Sequence, residues 1–383
     1  MTIPALVEFI RDLYQTRDAI PLHAPCFTGN EKAYLLNTLT STFVSSVGKY
    51  VDDFENHLRH FTGCTCAVAT VNGTAALSTA LYLAGVKPGD LVLTQALTFV
   101  ATCNTIHHLG AEPVFIDISP RGLGLCPVAM DNWLSANAER TASACRHKKS
   151  GRIIRAALPM HTFGHPAALD DLVAVCQKWG ITLVEDAAES LGSFYQGRHT
   201  GTFGEYGALS FNGNKIITTG GGGMILCRSA HSGSRAKHLT TTARIVHRWE
   251  FDHDEPAFNY RMPNLNAALG CAQMETLTLF LHQKRQVAAR YAAFFRETAF
   301  RFVEEPEYAR SNYWLNAVVC ENREARDALL QQMNDANIAV RPVWKLMHRL
   351  PMYAHAMRDD LAQSIYFENR LVNLPSSATA LLP

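Results

Sequence analysis

Between residues 67 and 227, short apolar runs alternate with helix-patterned segments. AVATV (67–71) precedes TAALSTALYLAG, and LVLT (91–94) precedes FVATCNTIHHLG. PVFIDI (113–118) and IIRAALP (153–159) follow, then the helical LDDLVAVCQKWG and TLVED (182–186). ALSF (208–211) and GMILC (223–227) complete the series. Runs without strict alternation predict strands buried on both faces. Their alternation with helices predicts an α/β fold with a mostly parallel sheet flanked by helices. After residue 228 the pattern changes. A polar, basic stretch leads to the long helix-rich FNYRMPNLNAALGCAQMETLTLFLHQKRQVAARYAAFF. Strand-like YWLNAVVC, helical EARDALLQQMNDAN and strand-like IAVRPVW come next. The expectation is a large domain over 1–259, opening on a helical segment, and a smaller α+β domain over 260–383.

Size and composition narrow the class. A chain of 383 residues is long enough for two domains. The formal net charge is +1 and no basic run stands out, so neither nucleic acid nor an anionic membrane is an expected partner. No stretch of about 18 apolar residues suggests a span. The N-terminal MTIPALVEFIRDLYQ carries Glu8, Arg11 and Asp12 within its apolar pattern, which fits an amphipathic helix rather than a secretory signal. A cytoplasmic protein is therefore expected. Ten cysteines are scattered, and Cys64 and Cys66 form CxC with no second pair at zinc-ligand spacing. Sixteen histidines include no HExxH pair. Reduced thiols and no metal site are expected.

Parallel sheets bind ligands beyond the C-terminal ends of their strands. Four segments fall there. VNGTAAL (71–77) places Gly73, Thr74 and Ala75 at a strand–turn–helix junction, where free N–H groups suit a phosphate. LTFVATCN (97–104) puts Phe99 after a strand, where it could stack on a planar ring. LVEDAAES (183–190) ends a strand on two acids, and Asp186 could pair with a protonated ring nitrogen. ALSFNGNKIITTGGGGM (208–224) holds Ser210, then Lys215 among uncharged neighbours, then four glycines at 220–223. Such a lysine suits an amine nucleophile, and glycines allow a tight turn near a ligand. Each segment alone reads as readily as a plain cap, a core aromatic, a helix-start acid or a loop lysine. In this order they are the parts of a fold-type I pyridoxal-phosphate site, with the cofactor attached to Lys215.

These segments resemble the DegT/DnrJ/EryC1/StrS sugar aminotransferases over nearly the whole chain. The resemblance rests on IPLHAPCFTGNEKAYL, FVSSVGKYVDDFE, NGTAAL, TFVAT, FGHPAALDDL, VEDAAESLG, GTFGEYGALSFNGNK, TTGGGGM, FNYRMPNLNAALG and IAVRP. It implies that Lys215 joins the cofactor and later moves the proton. It implies Asp186 on the pyridine nitrogen, Phe99 on the ring, and Thr74, Ala75 and Ser210 on the phosphate. Asn259, in FNYRM, would reach the cofactor phosphate of a partner subunit, so a homodimer is implied. Glu189 stands near the ring hydroxyl where the family often has Gln or His; an ionised acid there would be repulsive unless protonated or turned away. GGGG replaces the more usual GEGG. L-glutamate is implied as amino donor. HLTTTARIVHRWEFDHDEPAFNYRMPNLNAALG resembles the branch that aminates UDP-4-keto-6-deoxy-N-acetylhexosamines, with GDP-perosamine or dTDP-amino-sugar types as alternatives. Ser45 and Ser46 would lie near the sugar. Lys49, Arg244, His247, Arg341 and His348 are candidates to meet the diphosphate, and Tyr313 and Trp314 to touch the sugar. Three rival readings share the fold. A sugar dehydratase of this kind has His at the lysine position, a desulfurase needs a reactive loop cysteine, and a ligand-sensing regulator has no use for an intact lysine, acid and cradle.

Overall fold

The structure, a computed structural model, describes residues 3–378. The seven apolar runs become one sheet: β1 (Cys66–Thr70), β2 (Leu91–Gln95), β3 (Glu112–Ile116), β4 (Ile154–Leu158), β5 (Thr182–Asp186), β6 (Tyr206–Ser210) and β7 (Gly223–Cys227). Their order is β1-β7-β6-β5-β4-β2-β3. All neighbours are parallel except those of β7, which runs antiparallel to β1 and β6. The chain between β6 and β7 explains the exception. It is a loop with no crossover helix, and only antiparallel neighbours can be joined that way. That loop carries Lys215.

Eleven α-helices lie among the described residues: α1 (Ile3–Tyr14), α2 (Glu31–Ser41), α3 (Lys49–Thr62), α4 (Gly73–Leu83), α5 (Val100–His108), α6 (Pro127–Asn137), α7 (Leu169–Trp179), α8 (Ala230–Thr240), α9 (Asn264–Phe295), α10 (Arg323–Asp335) and α11 (Ala362–Glu368). The sheet is covered on both faces, and strand alternation shows it. Val68, Ala208 and Ile225 pack with Ala76 and Ala80 of α4 and Ala236 of α8. Their neighbours Ala69, Leu209 and Met224 point the other way, toward Phe54 and Leu58 of α3 and Ala267 of α9. α3 shows how pattern becomes packing. Val51, Phe54, Leu58 and Thr62 recur on one buried face, and the helix stops at Gly63, whose φ is +71°.

A second sheet holds β8 (Arg301–Phe302), β9 (Asn316–Val319), β10 (Arg341–Pro342) and β11 (Leu371–Leu374), in the antiparallel order β8-β9-β11-β10. Here the packing differs from the expected split at 259. Leu6, Ile10 and Leu13 of α1 are buried with Val287 and Tyr291 of α9, Phe302, Val318 and Leu329, so α1 belongs to the small-domain core. α9 spans both cores, since its earlier residues Ala267 and Cys271 pack with the large domain. α8 lies inside the stretch that composition marked only as polar; Ala236 and Leu239 are its buried stripe. Seven of the ten cysteines are buried and all ten are free thiols. No helix among the described residues is long and apolar enough to cross a membrane.

Candidate active site

The site begins where β1 turns into α4. Asn72, not Thr74, caps the helix: its side chain accepts from Ala75 N–H at 2.7 Å. The Ala75 amide, expected to face a phosphate, is therefore engaged. Gly73 and Thr74 line a cavity of about 400 Å³, with their amides at the open helix start. Ser210, at the end of β6, faces the same space. Gly73 is required sterically, because a Cβ there would lie 2.8 Å from Ser210 Cβ. The glycine run does a related job. A Cβ on Gly223 would lie 2.4 Å from Asn72 O, so this residue lets β7 abut the cradle rather than a ligand.

Asp186 ends β5 and is buried on the cavity wall. Thr102 Oγ1 donates to its Oδ2 at 2.7 Å, and Ala188 N–H donates to Oδ1 at 3.1 Å. Burial pushes the Asp186 carboxyl up, opposed by those bonds and by Lys215. Its neighbour Glu185 points away from the cavity. It accepts from Gly201, Phe203 and Gly204 N–H at 2.7–2.8 Å and meets His161 Nε2 at 3.1 Å. Burial raises Glu185, but these bonds together hold it below its ordinary range. Of the two acids, one is a brace and one faces the cavity.

Lys215 reaches into the cavity opposite Asp186. Its Nζ lies 3.5 Å from Glu189 Oε1 and 4.0 Å from the centre of the Trp314 ring. Glu189 is thus not turned away from the site. Its Oε2 accepts from Phe163 N–H at 2.9 Å, and burial pushes its carboxyl up to about 7. Phe99 is half exposed, with Trp344 edge-on at 6.2 Å; both line the cavity beside Met160, Asn212 and Asn214. Lys215 is the only cation in that lining among the described residues.

Other candidates lie apart. Lys49 is largely exposed, pairs with Asp53 at 3.9 Å, and borders a separate cavity of about 520 Å³ with Asn264. Ser45 and Ser46 lie in the loop before it, and Ser45 O accepts from Asn264 N–H. Asn259 is exposed and accepts from Arg261 at 3.1 Å. Arg341 is exposed on β10. His348 sits in a short 3-10 turn, and burial, helped by Arg358 and Arg349, lowers its pKa. Arg244 lies on the Phe251 ring at 3.9 Å, and His247 beside Glu250 at 3.5 Å. Tyr313 is core: its hydroxyl accepts from Glu305 N–H. Of the two aromatics, only Trp314 reaches the cavity. A wider cleft of about 620 Å³ at the end of α9 mixes Arg121, Arg296 and Arg301 with Glu304, Glu305 and Glu307, away from this chemistry.

The sequence profile of the DegT/DnrJ/EryC1/StrS aminotransferases matches residues 25–380. The chain belongs to that family. EpsN of Bacillus subtilis (strain 168) is 37% identical over 343 residues, covering 88% of this chain and 84% of EpsN. The GDP-perosamine synthase of Escherichia coli O157:H7 is 33% identical over 362 residues, 93% of each chain. The crystal structure of the aminotransferase TlmJ from Streptoalloteichus hindustanus superposes with a TM-score of 0.84 at 25% identity, over 94% of this chain and 93% of TlmJ. As a member of the DegT/DnrJ/EryC1/StrS family, the protein is a pyridoxal-phosphate-dependent sugar aminotransferase.

The residues present fit that cofactor. The cavity size suits a small aromatic phosphate. It offers an amine, a buried carboxylate with spare lone pairs, a helix N-terminus and an exposed ring face. Sequence reasoning missed Met160, Asn212 and Trp344 among the wall residues, and Thr102, which does not line the cavity but donates to Asp186. Thr102 lies in the TFVAT motif and is the nearest to legible, since it is a polar residue on an apolar helix face. Trp344 comes from the small domain, and no local pattern joins it to β2.

Proposed function

We propose that the enzyme transfers the amino group of L-glutamate to C4 of a nucleotide-linked 4-keto-6-deoxy sugar. The convergence of Lys215, Asp186, Phe99 and the start of α4 on one cavity carries this reading. Similarity to GDP-perosamine synthases of three bacteria supports a GDP-linked sugar, while the resemblance of residues 238–270 supports a UDP-linked 4-keto-6-deoxy-N-acetylhexosamine.

When bound, pyridoxal phosphate supplies an electron sink and carries the amino group between substrates. Asp186 would hold its ring nitrogen protonated, with Thr102 fixing the carboxylate. Gly73 and Thr74 amides and the Ser210 hydroxyl would hold the phosphate. Phe99 would cover one face of the ring. Lys215 Nζ would attach the cofactor at rest. Once free, it would take the proton from the α-carbon of glutamate and deliver it to the carbon it had been attached to, and in the second half it would carry a proton back from there to C4 of the sugar. Two-step exchange of this kind gives ping-pong kinetics.

A homodimer completes the site in this reading. Among the described residues, the only cation in the lining of a single chain is Lys215, which would be committed to attaching the cofactor, so a further donor such as Asn259 of a second copy would complete the phosphate site. The segment before Asn259 presents Val246, Trp249 and Phe251, which are 98%, 68% and 70% exposed, as an apolar face for that copy.

The test is direct. Enzyme with L-glutamate is incubated with GDP-, UDP- and dTDP-linked 4-keto-sugars and the products are read by mass spectrometry. An aminated sugar with loss of one glutamate supports the reading, and amination of none of the panel overturns it.

A further inference from the structure

Lys215 must spend half of each catalytic cycle unattached, while the cofactor carries the amino group. We propose that Glu189 and Trp314 form a dock for the free ε-ammonium group of Lys215. This rests on Lys215 being the attaching lysine. Neither side chain is proposed to react; both are positioning residues.

The geometry supports a built dock rather than a chance contact. Lys215 Nζ lies between an indole face at 4.0 Å and a carboxylate oxygen at 3.5 Å. Both surfaces prefer a cation. Both are also held by bonds that do not involve the lysine. Trp314 Nε1–H donates to Asn214 O at 2.7 Å, tying the ring edge to the residue before Lys215. Asn312 joins the two walls: its Nδ2 donates to Glu189 O at 2.8 Å and its Oδ1 accepts from Trp314 N–H at 2.8 Å. Phe163 N–H fixes the far oxygen of Glu189 at 2.9 Å, and Phe163 holds a left-handed φ of +57° in doing so. Gly164 beside it also has positive φ, and its hydrogen face touches Asn312 Oδ1, where no Cβ would fit. A backbone conformation that residues avoid is thus kept where it orients the carboxylate.

Each chemical step creates the species this dock suits. When Nζ takes a proton from a carbon, the C–H bond breaks, an N–H bond forms and the amine becomes an ammonium. Returning the proton restores the amine, with no net gain or loss. A preset acceptor pair beside Nζ stabilises the charge as it develops. The other charged and titratable groups coupled to this pair are Asp186 at the end of β5, which acts on Glu189, and His23 in the N-terminal segment, which feels Lys215 and also Lys284 of α9.

Full-length enzyme loaded with pyridoxamine phosphate keeps Lys215 free and allows the test. Trace acetylation with acetic anhydride is measured from pH 6 to 10, and the Lys215 peptide is quantified by mass spectrometry. Glu189→Gln and Trp314→Leu should each move the midpoint of the Lys215 labelling curve to lower pH. The shift should equal a roughly 3- to 30-fold change in the fraction of free amine. Trp314→Phe, which keeps a π face, should restore most of it. A purely structural role would change labelling speed at every pH and leave the midpoint in place; that result overturns the dock. Glu189→Gln is nearly isosteric, so it carries the test if Trp314→Leu fails to fold. Borohydride reduction of the pyridoxal-phosphate form checks the underlying assignment separately. A tag on a lysine other than Lys215 sinks that assignment, whatever the labelling curves show.

Discussion

At the scale of single residues, three outcomes follow from the cavity and from Thr102, which donates to Asp186. Lys215→Arg should lower turnover by at least about 10³-fold, because the guanidinium neither attaches the cofactor nor gives up a proton near neutral pH. Circular dichroism should show the fold intact. Thr102→Val should leave Asp186 with one fewer donor and slow turnover about tenfold, which steady-state kinetics would register. Glu189 gives a pH dependence. Burial raises its carboxyl from 4.5 to about 7, so the folded state holds this proton more tightly than the unfolded chain. Its contribution is complete below about pH 4.5 and lost as pH rises through about 7. The melting temperature of cofactor-free enzyme should therefore fall between pH 5 and 8, and Glu189→Gln should flatten that fall. Asp186 is raised as well and adds a slope of the same sign.

At the scale of elements, the turn from β1 into α4 is the most constrained. Asn72→Ala removes the cap and should cost about 1 kcal/mol in denaturant unfolding. Gly73→Ala should be worse for cofactor than for fold, because the new Cβ would push against Ser210 and shift the groups proposed to hold the phosphate. A fluorescence titration with pyridoxal phosphate would detect the weaker binding. α1 behaves as part of the small domain. Leu6→Ala should cost about 2–5 kcal/mol, since the side chain is fully buried among α9, β8 and β9 residues.

At the scale of the whole molecule, two regions lie outside the Lys215 cavity. The apolar face at 246–251 and exposed Asn259 belong to one continuous segment. Replacing Trp249 and Phe251 together by Asp should shift a dimer toward monomer in sedimentation velocity. It should also weaken cofactor retention, if the second copy supplies a phosphate donor. The substrate candidate Lys49 borders a different cavity from that of Lys215, and Ser45 and Ser46 lie in the loop before it, outside the lining of the Lys215 cavity. Within one chain, the amine chemistry and those polar groups remain apart.

The sequence by itself determined the sheet and the order of the chemical groups. Apolar runs of five residues flanked by Gly, Asn or acids mark strand ends locally, so Gly73, Asp186, Ser210 and Lys215 were legible from spacing and resemblance. Tertiary structure decided what no local window contains. Trp314 and Trp344 join the cavity from the small domain, more than a hundred residues beyond the strand ends they face. α1 joined the far core, because an apolar stripe does not name its partner and only packing sets Leu6, Ile10 and Leu13 against α9 and the small sheet. Two adjacent acids, Glu185 and Asp186, parted roles because successive strand residues point to opposite faces. Glu189 is the clearest case. Resemblance implied a place for it near the ring, but only the fold set its carboxylate against Lys215, with Phe163 N–H on the other oxygen.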